Sequence, residues 1–196
     1  YSLCHGRKKG QGSIKVYKLI DKEFVDTGIT FAPYKEEDFW GAPRVALGDI
    51  DGDGRLELIT APGPAPKAPA QIKAFRIDIS QGMGKWQVGE KILDLIVSFE
   101  EEKEKKKIRI EGGYGANVAV GDIDGDGKAE IIVGAGPDPK KDGQVIIIYP
   151  TKNKIASFQA YLENRFGVYV AIGDLDGDGQ AEIITGPGLN PQRKGT

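Results

Sequence analysis

Polar and apolar residues take turns along "SIKVYKLI" from Ser13, and the same beat returns in "KEFVDTGITF" from Lys22. Side chains of a strand point alternately to its two faces, so this period of two predicts a pair of strands. "PRVALGDI" from Pro43 and "LELITAPGP" from Leu56 predict two more, joined by an acidic turn. A proline-rich tip, "APKAPA" from Ala65, leads into the clear strand "QIKAFRIDI" at Gln71. "KWQVGEKILDLIVSF" from Lys85 follows as a fourth strand with an irregular extension. A second unit is punctuated more cleanly: "YGANVAV" from Tyr114, "AEIIVGAGP" from Ala129, "QVIIIYP" from Gln144 and "KIASFQAYL" from Lys154. At Phe166 the pattern begins again with "FGVYVAIG" and "AEIITGPG". The periodic runs are strand-length, and 28 glycines and 11 prolines stand between them. A turn-rich, all-β protein is expected.

The turn between the first two strands of each unit carries the chemistry. It reads "GDIDGDGRLE" from Gly48, "GDIDGDGKAE" from Gly121 and "GDLDGDGQAE" from Gly173. Aspartates hold loop positions 1, 3 and 5, and a glutamate holds position 9. These are Asp49, Asp51, Asp53 and Glu57; Asp122, Asp124, Asp126 and Glu130; and Asp174, Asp176, Asp178 and Glu182. At about 4 Å each like-charged pair costs roughly 1 kcal/mol in water and about 4 near a protein surface. A hard dication removes that cost. Ca2+ takes 6–8 oxygens in flexible geometry, a backbone carbonyl at position 7 among them. That carbonyl belongs here to Arg55, Lys128 and Gln180. Glycines at positions 4 and 6 permit the positive φ angles that wrap a loop round an ion. An EF-hand also opens D-x-D-x-D-G, but it needs a glutamate at position 12 and flanking helices. Thr60, Val133 and Thr185 stand at position 12, and strand-like runs follow, so the EF-hand fails. A metal-free Asp-Gly turn is the plainer alternative; three copies with the same carboxylates weigh against it.

Bulk properties narrow the remaining classes. With 27 basic and 29 acidic residues the net charge is −2, which gives no case for nucleic acid. No apolar run approaches the 18 residues of a membrane span. The chain opens on Tyr1 and not Met, so a missing or processed N-terminus is expected. Cys4 and His5 are each single, and Tyr1 stands where a haem-attachment motif needs its first cysteine. Cys4 is read as a small buried hydrophobe. The charge run "EEEKEKKK" from Glu100 is read as a solvated tip.

The first aspartates stand at 49, 122 and 174, giving spacings of 73 and 52 residues. A period near 50 with four strands per unit predicts blades of a β-propeller. Phe166-Gly167 before the third loop, with Tyr114-Gly115 and Trp40-Gly41 in the equivalent places and "GAGP" at Gly134, resembles the FG-GAP repeat. Such repeats form the calcium-binding blades of integrin α-subunit propellers and of many microbial surface proteins. The resemblance spans about residues 40 to 190. It implies that each acidic loop joins the innermost strand of a blade to the second and that the carboxylates named above ligate Ca2+ at three sites. Position 9 is often Asp in the integrin version and is Glu here, so direct or water-mediated ligation stays open.

Divided this way, residues 1–39 are the outer strands of one partial blade and 40–112 a blade with insertions. Residues 113–164 are a second blade, and 165–196 are the inner strands of another partial blade. Closed propellers have at least four blades. Three equivalents are therefore expected to belong to a longer chain, or to complete one another between copies in a ring or fibre. The resemblance implies a non-catalytic extracellular module for adhesion, surface structure or binding of protein or glycan. Two alternatives stand beside it: the propeller portion of a calcium-dependent polysaccharide lyase, and a filament subunit. No Ser-His-Asp order and no G-x-S-x-G is present to nominate a catalytic set. Trp40, Tyr114 and Phe166 are candidate contact aromatics, with packing between neighbouring blades as the plainer use.

Overall fold

The computed structural model describes residues 12–34, 42–64, 68–79, 86–97, 114–138, 142–162 and 166–188. Cys4, His5, Trp40 and the charge run from Glu100 lie outside the described residues. Every regular element among those described is a strand. β1 (Ile14–Ile20) and β2 (Glu23–Phe31) form a two-stranded antiparallel sheet of their own. Their two-residue turn holds Asp21 at φ 49° and Lys22 at φ 70°. That is the left-handed pair a hairpin with native twist requires.

β3 (Arg44–Gly48), β4 (Glu57–Ala61), β5 (Ala70–Ile79) and β6 (Trp86–Val97) follow in sequence order as one four-stranded antiparallel sheet. β7 (Ala116–Gly121), β8 (Glu130–Ala135), β9 (Gly143–Tyr149) and β10 (Lys154–Tyr161) repeat it. β11 (Val168–Gly173) and β12 (Glu182–Pro187) repeat its first half. The first two strands of each unit close on the same pair, Gly48 with Glu57, Gly121 with Glu130 and Gly173 with Glu182. The acidic loop springs from that pair each time.

The sheets stack face to face. Ile59, Ile72 and Ala74 of the first meet Ile131, Val133, Ile146 and Ile148 of the second in one core. Ile132, Val145 and Ile147 on the opposite face of the second sheet meet Val168 of the third unit in another. β8 is therefore buried along its whole length, which is why its sequence is a continuous apolar run and not an alternation. Each isoleucine taken out of water contributes about 1.5–3 kcal/mol. Innermost strands stand side by side, β3 next to β7 and β7 next to β11. This is blade packing of the propeller kind, and the described residues form no closed ring.

Backbone bonds fasten the stack at both ends. Ala129 N–H donates to the Asp49 carbonyl at 2.7 Å, and Ala181 N–H donates to the Asp122 carbonyl at 2.8 Å. At the other end Ala116 N–H reaches the Pro62 carbonyl at 2.8 Å, and Gly115 N–H reaches that of Ala68 at 3.1 Å. The β1–β2 hairpin lies against the face of the first sheet that looks away from the second. Phe31 meets Phe75 edge-on at 5.4 Å, and the Tyr34 hydroxyl reaches Thr60 Oγ1 at 3.0 Å and the Gln71 carbonyl at 2.8 Å.

Candidate metal centre

Each acidic loop is folded by its own first aspartate. Asp49 Oδ1 accepts from Gly52 N–H at 2.6 Å and Oδ2 from Gly54 N–H at 2.7 Å. Asp122 makes the same two bonds to Gly125 and Gly127, both at 2.7 Å. Asp174 makes them to Gly177 and Gly179, at 2.7 and 2.9 Å. The six glycines all have φ between 73° and 90°, a region that costs other residues about 1–2 kcal/mol. The position-5 carboxylates of Asp53, Asp126 and Asp178 accept from the N–H of Arg55, Lys128 and Gln180 at 2.8–2.9 Å. Those three residues, whose carbonyls stand at position 7, send their side chains elsewhere where a neighbour is present. Lys128 lies over Gly52 and Gln180 over Gly125, each covering the loop of the preceding sheet.

The position-9 glutamates begin the second strand of each unit. Glu57 Oε2 accepts from Ile50 N–H at 3.0 Å, Glu130 Oε2 from Ile123 N–H at 3.1 Å and Glu182 Oε2 from Leu175 N–H at 2.7 Å. Glu57 is 1 % and Glu130 2 % exposed, and with Thr60 they are the buried polar residues of the described chain. Burial pushes both carboxyls above their ordinary 4.5, and the aspartates around them push the same way. Carboxylate oxygens of Asp49, Asp51 and Asp53 come within 4.8 Å of one another, as do those of Asp122, Asp124 and Glu130 and those of Asp174, Asp176 and Glu182. A buried carboxylate surrounded by further carboxylates is an electrostatic debt that a hard dication with oxygen ligands removes. The donor set is all oxygen, so the residues fit Ca2+ and not a thiolate-loving metal.

Side-chain cations already attend two loops. Arg76 on β5 reaches Asp51 Oδ2 at 2.6 Å and holds that carboxyl below its ordinary 3.8. Lys152, in the β9–β10 turn, bonds Asp124 Oδ2 and also Asp126 Oδ2, the latter at 2.9 Å. Lys152 holds the Asp126 carboxyl down, and the lysine itself is raised well above its ordinary value. Neither cation is adjacent to its loop in sequence, and sequence reasoning did not find them. Lys152→Met is expected to raise the calcium affinity of the second loop about two- to fivefold, since an exposed pair of this kind competes only weakly. Calorimetric titration of calcium checks it; an unchanged affinity would mean that the ammonium stands clear of the ion.

Glu57→Gln is expected to act in opposite directions in the two states. The amide keeps an acceptor for Ile50 N–H but removes the buried charge, so the metal-free protein gains on the order of 1 kcal/mol at neutral pH. The same change weakens the first calcium site. A carboxyl raised in the folded state stabilises that state below its unfolded pKa and loses the contribution as pH rises through the folded value. In EDTA the advantage of the variant is therefore largest at pH 7 and closes as pH falls below 4.5. Urea unfolding across that range is the measurement; a variant weaker than wild type in EDTA would refute it.

At the opposite end of the strands from the loops, a groove of about 210 Å³ is lined by Arg44, Tyr114, Asn117, Phe166 and Tyr169, among others. Arg44 Nε is buried there without a hydrogen-bond partner. Tyr114 and Phe166, candidate contact aromatics from the sequence, are half-buried in its wall. Arg44 carried no sequence signal.

Stacked four-stranded sheets with an acidic loop between their first and second strands define the class: this is a β-propeller-type repeat protein. The family model described as FG-GAP repeat matches residues 114–148. The stretch similar to that repeat takes in β7, the second acidic loop, β8 and most of β9. No curated protein matches the chain.

Proposed function

We propose that the chain is a non-catalytic, calcium-stabilised module of the cell exterior, serving adhesion, surface structure or binding of a protein or glycan. The observation that carries this reading is the recurrence of one hydrogen-bonded acidic loop at the same station of three stacked units. Each loop holds the first two strands of its unit, and the second loop touches both the first and the third, so ions in them stiffen the inner rim. FG-GAP repeats occur typically in extracellular or surface proteins, where calcium is millimolar and modules of this kind bind it at about 10⁻⁴ to 10⁻³ M. The groove by Arg44 offers a ligand a cation and three aromatic rings, while the Asn117 amide in its wall donates to the Val168 carbonyl at 2.7 Å. That set is suited to a carboxylate-bearing partner.

Calcium titration followed by calorimetry tests the ion sites. Three sites are expected, with Asp124→Ala abolishing or weakening one and sparing two. Absence of any calcium heat would sink the proposal. The competing enzyme reading, a lyase acting on uronic-acid polymers, predicts ultraviolet absorbance from the unsaturated product, and none is expected. No helix of the described residues is long and apolar enough to cross a membrane.

A further inference from the structure

Successive acidic loops are bonded to one another through the backbone, and the bonds line up in series. Ala129 N–H donates to the Asp49 carbonyl at 2.7 Å. That carbonyl shares its peptide unit with Ile50 N–H, which donates to Glu57 Oε2 at 3.0 Å. Ala129 N–H in turn shares its unit with the Lys128 carbonyl, the position-7 oxygen of the second loop. In a trans peptide the two groups point opposite ways, so a carbonyl turned to an ion in the second loop sends its N–H toward the first. The same run recurs one unit on. Ala181 N–H, behind the Gln180 carbonyl, donates to the Asp122 carbonyl at 2.8 Å, and Ile123 N–H donates to Glu130 Oε2 at 3.1 Å. Two peptide units thus connect the position-7 oxygen of one loop with the position-9 carboxylate of the loop before it.

Side chains close over the same junctions. A Cβ added at Gly52 would lie 3.0 Å from Lys128 Cε and 3.1 Å from its Cγ, and one at Gly125 would lie 3.1 Å from Gln180 Cγ. The receiving glutamates are fixed by one oxygen and free on the other. Glu57 and Glu130 are both almost wholly buried. Oε2 of each takes the backbone bond just named, and Oε1 takes no hydrogen bond among the described residues. An oxygen of Glu130 lies within 4.8 Å of oxygens of Asp122 and Asp124. A sealed carboxylate with a spare oxygen beside two aspartates is set to receive a cation.

We infer that the ion sites fill cooperatively, each ion strengthening the neighbouring site through this series of hydrogen bonds. The coupling rests on the calcium reading proposed above and concerns how those same sites are regulated. A dication drawing on the Lys128 carbonyl polarises that peptide unit and makes Ala129 N–H a stronger donor. Hydrogen bonds in series strengthen one another in this way, so the effect passes to Ile50 N–H and holds the Glu57 carboxylate in place for the first ion. Ordering acts in the same direction. The Lys128 peptide and stem that the second ion fixes are the ones lying over the first loop, which leaves the first ion less to order. Linkage makes the benefit mutual, the first ion raising the affinity of the second site by the same factor. Repulsion between ions one sheet spacing apart, about 10 Å, is largely screened at physiological salt. The expected coupling between adjacent sites is about fivefold, the low end of the usual range. Among the described residues no backbone bond joins the first loop to the third, so those two communicate through the second.

Calorimetric calcium titration of the wild type and two variants is the test. The wild type is expected to fill with a Hill coefficient of about 1.5, which a fivefold coupling along a row of three sites gives. Asp51→Ala silences the first loop and leaves an adjacent pair, with a coefficient of about 1.4. Asp124→Ala silences the middle loop and leaves two unlinked sites, with a coefficient of about 1 or below. Equal coefficients in the two variants overturn the coupling and leave calcium binding standing. Absence of calcium heat in the wild type overturns both. Amide exchange followed by NMR reads the series of bonds directly. In Asp51→Ala, with the first loop empty, calcium is expected to slow exchange of Ile50 N–H about fivefold relative to EDTA. An Ile50 amide indifferent to calcium in that variant overturns the coupling.

Discussion

Stripping calcium with EDTA is expected to lower the melting temperature by roughly 10–20 °C. The arithmetic starts from binding: in about 2 mM calcium a site with Kd near 10⁻⁴ M stabilises the folded state by RT ln(1 + [L]/Kd), roughly 1.8 kcal/mol. Three such sites together supply about 5 kcal/mol, and for a chain of this size each kcal/mol moves the midpoint about 2–4 °C. The loops give this number its physical content. Glu57 and Glu130 are almost wholly removed from water, so without an ion their ionisation opposes folding. Magnesium is expected to restore little, because it gives up its water reluctantly and demands a tighter octahedron. Differential scanning calorimetry in calcium, EDTA and magnesium decides the matter. A melt unchanged by EDTA would show that hydrogen bonds from the loop backbone suffice to hold the aspartates.

The second large effect is expected from one methyl group. Gly115 has φ 71°, and a Cβ there would lie 2.2 Å from the Gly63 carbonyl oxygen and 2.3 Å from that of Pro62. Its own N–H is bonded across the same junction to Ala68. Gly115→Ala must therefore push two sheets apart as well as hold a left-handed backbone, at a combined cost of about 3–5 kcal/mol. Gly28→Ala is the internal control. Gly28 has φ 81° but open space where a Cβ would go, so it bears only the backbone penalty of about 1 kcal/mol. Urea denaturation of the two variants separates clash from strain. Equal costs would mean that the sheets are not held at this contact.

That glycine shows how much of the molecule was open to reading. Tyr114-Gly115 and Phe166-Gly167 carried the family resemblance, yet neither pair says why a glycine must follow the aromatic. The reason is the approach of a neighbouring backbone: Ala135 O would lie 2.6 Å from a Cβ at Gly167. Chain neighbours cannot supply that information, because the atoms that forbid a side chain sit in another sheet.

The sequence by itself determined the strands, their antiparallel order and the three acidic loops. Those features depend on contacts short in sequence: alternation along a strand, a turn of two residues at Asp21-Lys22, and aspartates bonding to N–H groups three to five residues on. Tertiary structure alone decided which carboxylates are sealed from water, that Arg76 and Lys152 attend the first and second loops, and that Arg44 lies in a groove. It also decided that the β1–β2 hairpin covers only the outer part of its sheet. Alternation marks two faces on every strand but is silent on what covers each. That choice is made by packing between units far apart in sequence, and it leaves Leu47 and Leu175 in water while Ile50 is buried and Val120 packs against the core.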